Sequence, residues 1–282
     1  MSSSLECIVQ EAGALVENPL WKNGRLLWTD ITGGKISGWD SLDGVVTELY
    51  SGPPVGGFTE QQTGDLLLFR VDDIAILNSD EEVRSLIPFS DSGSIRFNDV
   101  IAAPDGSVFA GTIGRSDESG GLFHILNDGT IELLFRGTGC ANGMGFSPDQ
   151  TTFYWTDTTN QLIRAWDFDP ATSALSNPRI IVSTTPELPD GLTIDAKGRL
   201  YSARWGSGRV AILDPTGMEM NSIPVPFTHT TSICFGGDGL TDLYLTAAAD
   251  DWRNPNCNGA IYRLTGYGTG KAEFKSAILK PA

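Results

Sequence analysis

GRLLWTD at residues 24–30 returns as TTFYWTD at residues 151–157, and the same short pattern recurs as GDLLLF (64–69), GSVFAGT (106–112), GRLYSAR (198–204) and TDLYLTAA (241–248). Each copy follows a turn and is rich in the residues that form strands. Anchored on Leu27, Leu67, Val108, Phe153, Leu200 and Leu243, the copies lie 40 to 47 residues apart. A period of that size marks a repeat architecture in which each unit is one small sheet.

Working outward, every copy is followed by a second strand-like segment: KISGWD, DIAILN, GLFHIL, LIRAWDFD, GRVAILD and GAIYRLTG. A third set, VVTELY, VRSLIPF, TIELLF, RIIVST and MEMNSIPV, follows most of these, with NDGT and DPTG as turns between neighbours. With the segment that precedes each anchor, every repeat holds four strands. The expected fold class is therefore all-β: a six-bladed β-propeller with four antiparallel strands per blade and an axial metal site, one domain over residues 1–282. A β-sandwich has no reason to repeat at this period, and a parallel α/β fold needs amphipathic helices that the sequence lacks. Either LECIVQ near the start or KAEFKSAIL near the end supplies the last blade's outer strand.

Composition agrees. Of 282 residues, 33 are glycine and 15 proline, which suits many tight turns. The 35 acidic residues outweigh 19 basic ones, and the resulting −16 charge disfavours nucleic acid and anionic membranes as partners. MSSSLECIVQ lacks the pattern of a secretory signal and no apolar run approaches a membrane span, so a soluble, cytoplasmic protein is expected, a monomer or weak homo-oligomer. Cys7, Cys140, Cys234 and Cys257 are scattered without metal-site spacing and are expected to be free thiols.

In a propeller the first strand of each blade lines the central channel. Ten or eleven residues before the anchors stand Glu17, Gly57, Asn98, Asn142, Asp190 and Ser232. Four of these six are carboxylates or amides, on strands whose other residues are mostly apolar or small. Two carboxylates sharing one pore raise each other's pKa unless a cation intervenes. Oxygen donors alone suit one divalent ion: calcium first, with magnesium, manganese or zinc as alternatives.

Six stretches, VENPLW (16–21), RFNDVIAAPDGSVFAGT (96–112), ANGMGFSPD (141–149), FYWTDT (153–158), PDGLTIDAKGRL (189–200) and TTSICFGGDG (230–239), together resemble the family of senescence marker protein, bacterial gluconolactonases and luciferin-regenerating enzyme. The resemblance spans nearly the whole chain. It implies a metal-dependent sugar lactonase in which Glu17, Asn142 and Asp190 hold the metal, Asp190 also serves as base, and Arg96 and Asn98 contact a sugar lactone. Asn18 departs from the glycine usual in the family. The family's further acidic substrate contact has Asp117 or Glu118 as candidates, Glu118 being the one taken here.

Lactone hydrolysis needs a polarised carbonyl, an activated water and a stabilised oxyanion; a divalent ion contributes to each, with Asp190 accepting the water's proton. Arg96 offers a fixed fork for a hydroxyl or carboxylate, and Asp99 is expected to point away from the channel by strand alternation. With only His124 and His229 in the chain, a Ser-His-Asp triad is disfavoured. Trp28, Trp39, Trp155 and Trp166 fall at repeating places that suit packing, while Trp205 and Trp252 are candidates to roof a pocket. The rival readings are a metal-dependent esterase or phosphotriesterase-like propeller and a non-catalytic propeller whose ion only pins the blades.

Overall fold

A computed structural model describes residues 5–279. After β1 (Leu5–Val9) the chain runs through six antiparallel meanders. The first is β2 (Val16–Lys22), β3 (Arg25–Asp30), β4 (Lys35–Asp40) and β5 (Val46–Ser51); the second is β6 (Val55–Glu60), β7 (Leu66–Arg70), β8 (Asp73–Leu77) and β9 (Val83–Pro88). The third is β10 (Ser94–Ala102), β11 (Val108–Gly114), β12 (Gly120–Ile125) and β13 (Ile131–Thr138); the fourth is β14 (Ala141–Phe146), β15 (Thr152–Asp157), β16 (Leu162–Asp169) and β17 (Ala174–Ser183). The fifth is β18 (Leu188–Ile194), β19 (Leu200–Trp205), β20 (Arg209–Leu213) and β21 (Glu219–Pro224). The sixth holds β22 (Thr230–Gly236), β23 (Asp242–Ala247) and β24 (Ala260–Leu264), completed by β1 on the edge of β24. The fold class is the expected one, all-β with six blades of four antiparallel strands. Among the described residues no helix is long and apolar enough to cross a membrane.

Every anchor of the sequence repeat lies on a second strand, β3, β7, β11, β15, β19 or β23, and each is buried. The N-terminal LECIV, not KAEFKSAIL, closes the sixth blade. Both segments look strand-like, but the C-terminal one is taken up elsewhere: Ser276 exchanges backbone hydrogen bonds with Glu60 and Gln62 (2.8 Å each), Ala277 N donates to Gly106 O (2.7 Å), and Ile278, 1% exposed, enters a core cluster with Phe97 and Ile125. Gly106, at φ 87°, has no Cβ; one would sit 2.7 Å from that of Ala277.

The chain forms two compact units. One comprises the described residues 5–54 and 186–272, the other 55–185 and 273–279. In the first, β22 packs against both β2 and β18; in the second, β10 packs against both β6 and β14. The cores lie between neighbouring blades, as clusters such as Trp28, Trp39 and Tyr244 in the first unit and Phe109, Phe146, Phe153, Trp155 and Trp166 in the second. The four tryptophans at repeating places are thus packing residues. His124 is another: it is buried on β12, its ring stacks 4.4 Å from that of Phe109, Nε2 lies 2.7 Å from Ser107 Oγ, and burial pushes its pKa down. The four cysteines are free.

Close approach within the first unit fixes one glycine. A Cβ on Gly191 would lie 2.3 Å from Ser232 Oγ and 2.6 Å from Ser232 Cα, so β18 and β22 could not keep their spacing. Gly191→Ala is therefore expected to destabilise the protein by roughly 1–3 kcal/mol, the usual cost of overpacking. A lowered urea midpoint at unchanged m-value would show it; an unchanged midpoint would contradict the contact.

Candidate functional site

The register that singled out six positions has a structural counterpart. Each first strand breaks its ladder with its second strand at that place: between Glu17 and Leu20, Val55 and Gly57, Phe97 and Val100, Asn142 and Met144, Pro189 and Leu192, and Thr230 and Ile233. A bulge inserts a residue, bends the strand and re-aims a side chain, and such features gather beside functional sites. Glu17, Asn98, Asn142 and Asp190 all stand at or inside these breaks and all are buried, at 9%, 8%, 4% and 3% exposure.

In the first unit the strands bearing Glu17 and Asp190 both pack on β22. Val16, just before Glu17, is held through its carbonyl by Thr231 Oγ1 at 2.5 Å. Asn18 has φ 48°, a left-handed conformation that glycine or asparagine adopts most easily, which accounts for this chain's departure at that position. Its N–H donates to Glu17 Oε2 at 3.3 Å. Asp30, at the end of β3, accepts from Leu15 N at 3.0 Å and so braces the segment two residues ahead of Glu17.

Trp205 pairs with Leu188, two residues ahead of Asp190, and packs with Trp252 against Leu15, Ile31 and Ala248. Its ring stacks on His229 (centroids 4.3 Å apart, 21° between planes) and meets Trp252 edge-on at 5.8 Å, while Arg253 lies 4.0 Å over Trp252. Trp205 and Trp252 thus share one aromatic cluster with His229, beside the strand entries that lead to Glu17 and Asp190. The loop histidine is part of this cluster, which its sequence neighbourhood does not reveal.

In the second unit Arg96, Asn98 and Asn142 form one hydrogen-bonded chain. Arg96 Nη1 donates to Asn98 Oδ1 and to the Phe97 carbonyl, each at 2.8 Å. Asn98 Nδ2 donates to Asn142 Oδ1 (3.1 Å) and the Ala141 carbonyl (2.8 Å). Asn142 Nδ2 donates to Thr158 Oγ1 (3.1 Å) and to Cys140 Sγ (3.6 Å). Gly57 has a spatial role: a Cβ there would press on Val100, and one on the adjacent Gly56 would strike the Phe97 carbonyl at 2.0 Å. Asp99 Oδ1 accepts from Val100 N at 2.7 Å; burial, with the Glu273 carboxylate nearby, pushes its pKa up to about 7. Glu118 is exposed in the 115–119 turn, and of this turn it is the Asp117 backbone that approaches Gly139.

Asp157 is the residue the sequence did not expose as important. Its side chain is fully buried at the end of β15, where Oδ1 accepts from Thr138 Oγ1 (2.6 Å) and Oδ2 from Asn160 Nδ2 (2.9 Å) and Arg164 Nη2 (3.3 Å). Thr138 Oγ1 in turn takes the N–H of Cys140 at 3.2 Å. Asp157 therefore does for Asn142 what Asp30 does for Glu17. The signal was present in the shared WTD of residues 28–30 and 155–157.

Among the described residues no three His, Cys, Asp or Glu side chains cluster as metal ligands. A site here would have to draw on amide oxygen as well as carboxylate.

Comparison with known proteins adds five findings. The family model for the SMP-30/gluconolactonase/LRE-like region matches residues 15–249. Pentonolactonase XacC of Haloferax volcanii is 35% identical, the alignment covering 96% of this chain and 97% of that protein. Regucalcin of Xenopus laevis is 33% identical, with 95% and 96% covered. Of solved structures, luciferin-regenerating enzyme matches at TM-score 0.88 and 24% identity over 98% of this chain and 99% of its own. Regucalcin from Agrobacterium tumefaciens, a calcium-binding protein, matches at TM-score 0.88 and 24% identity over 97% of each. At that identity the structural likeness speaks for the fold.

Proposed function

Because this chain belongs to the SMP-30/gluconolactonase/LRE-like family, we propose that it is a carboxylic ester hydrolase that opens a small sugar lactone to the aldonic acid with one divalent cation. The observation that carries this reading is the coincidence of strand breaks with buried polar side chains: Glu17, Asn98, Asn142 and Asp190 hold equivalent places in four different blades. A pentonolactonase relative of nearly equal length supports the substrate class.

Glu17, Asn142 and Asp190 are the proposed ligands. Their chemistry fits: two buried carboxylates on strands that both pack on β22 call for positive charge, and an amide oxygen completes a hard, oxygen-only set. Calcium is the favoured ion, in keeping with the calcium-binding regucalcin of the same fold; magnesium, manganese and zinc are the alternatives. When bound, such an ion supplies Lewis acidity at the lactone carbonyl and to the attacking water.

Asp190 takes the proton of that water and passes it on as the ring oxygen leaves. Arg96 and Asn98, already linked at 2.8 Å, orient the sugar hydroxyls, Arg96 through its planar guanidinium fork. Trp205 provides an apolar face for the sugar ring, and Glu118 is the proposed acidic contact on the 115–119 turn. The net charge of −16 keeps anionic polymers away while leaving neutral lactones free to enter.

Acid release from a panel of pentono- and hexonolactones, assayed on chelated protein with each ion restored in turn, tests this. Opening above the spontaneous rate, strongest with calcium, is expected. Turnover of aryl esters with no sugar lactone opened would replace the reading with an esterase, and a melting temperature raised by the ion without any turnover would replace it with a binding scaffold.

A further inference from the structure

We infer that Thr158, assisted by Cys140, is a positioning residue that fixes which end of the Asn142 amide is presented for ligation. The inference rests on the proposal that Asn142 is a ligand. It starts from the fact that an asparagine side chain has two unlike ends of nearly equal shape, and only the oxygen can bind a cation.

The hydrogen bonds around Asn142 leave one orientation. Nδ2 lies between two acceptors, Thr158 Oγ1 at 3.1 Å and Cys140 Sγ at 3.6 Å. Oδ1 faces a donor, Asn98 Nδ2, at 3.1 Å. That donor is itself fixed, because Asn98 Oδ1 receives Arg96 Nη1 and Asn98 Nδ2 also reaches the Ala141 carbonyl. Turning Asn142 over would put its N–H against that of Asn98 and take from Thr158 Oγ1 and Cys140 Sγ the N–H bonds that they accept. One lone pair of Oδ1 then remains for a cation.

The chain contains its own control for this role. In the first blade Ile31 N donates to Leu15 O (3.0 Å), and in the fourth Thr158 N donates to Cys140 O (3.1 Å), so Ile31 and Thr158, and likewise Leu15 and Cys140, are equivalent. Beside Glu17, whose carboxylate has no N–H to satisfy, both positions are apolar and join a small core cluster. Beside Asn142, whose amide has two N–H bonds, both become acceptors. In the fifth blade, where the site residue is again a carboxylate, the equivalent positions are Trp205 and Leu188. Among the three proposed ligands, acceptors thus occupy these two positions only beside the amide.

Partners that orient a ligand typically affect metal affinity by about 10–100-fold. Calcium binding by titration calorimetry on Thr158→Val should therefore show an affinity about 10-fold or more below wild type, with the melting temperature of the chelated protein little changed. Thr158→Ser, which keeps the acceptor, should restore it. Thr156→Val is the matched control: Thr156 sits on β15 opposite Asn142, two residues before Thr158, and its buried hydroxyl has no hydrogen-bond partner among the described residues, so the variant's affinity should equal wild type.

Wild-type affinity in Thr158→Val would overturn the inference alone. Absence of binding by the wild-type protein to any of the four ions would overturn the ligand assignment and the inference with it. Should Thr158→Val fail to fold, hydrogen exchange at the Asn142 side-chain amide of chelated wild-type protein decides: protection of both protons supports the inference, and exchange as fast as an exposed amide overturns it.

Discussion

Asp190→Ala is expected to lower kcat/KM for sugar-lactone opening by about 10³-fold or more, the span that loss of a general base alone can produce. Asp190 is 3% exposed within the broken ladder between Pro189 and Leu192, so alanine removes a buried carboxylate that nothing nearby on its own strand can replace. Asp190→Asn separates the two proposed roles. It keeps an oxygen donor but no proton acceptor, so turnover should fall far more than ion affinity does. The fall should appear in kcat as well as in kcat/KM, the mark of an interaction used in the transition state. Full lactonase activity in Asp190→Ala, measured with saturating ion, would remove Asp190 from the chemistry.

Asp157→Ala should be the most damaging change outside the proposed ligands. It removes a fully buried carboxylate that gathers Thr138, Asn160 and Arg164, and breaking a buried charged pair costs about 3–5 kcal/mol. For a chain of this size that corresponds to a melting temperature lower by roughly 10 °C. Ion affinity should fall as well, because Thr138 carries the Cys140 N–H and thereby the start of the strand that bears Asn142. Calorimetry with and without chelator reads both effects. A melting temperature within about 2 °C of wild type would show that the corner is held by something else.

The repeat made the fold readable because β-propellers write one structural unit six times; the anchors from Leu27 to Leu243 all fall on second strands. Counting from those anchors also found the positions where the first strands break, although the breaks themselves left no sequence mark. A bulge depends on pairing between two strands, and periodicity along one strand does not carry it. LECIVQ and KAEFKSAIL could not be told apart for a similar reason: both have strand composition, and the choice is made by partners far away in sequence, Leu264 for one and Glu60 for the other. Asp157 was hidden because aspartate at a strand end reads as ordinary turn chemistry, and only its three partners, Thr138, Asn160 and Arg164, reveal a brace. His229 was hidden because stacking on Trp205 joins a loop residue to the end of β19, 24 positions earlier in the chain.

The closing of the sixth sheet by β1 also orders events in time. Residues 55–185 form one uninterrupted stretch of the second unit, whereas the first unit draws on 5–54 and 186–272. At translation rates of about 5–20 residues per second, β1 leaves the ribosome on the order of 10–50 s before its hydrogen-bonding partner β24 exists. Through that interval the nascent strand has no native neighbour, and its short length and the charge of Glu6 limit pairing with anything else. The last sheet can be finished only once synthesis has passed Leu264, so its completion is a late step in the biogenesis of this chain.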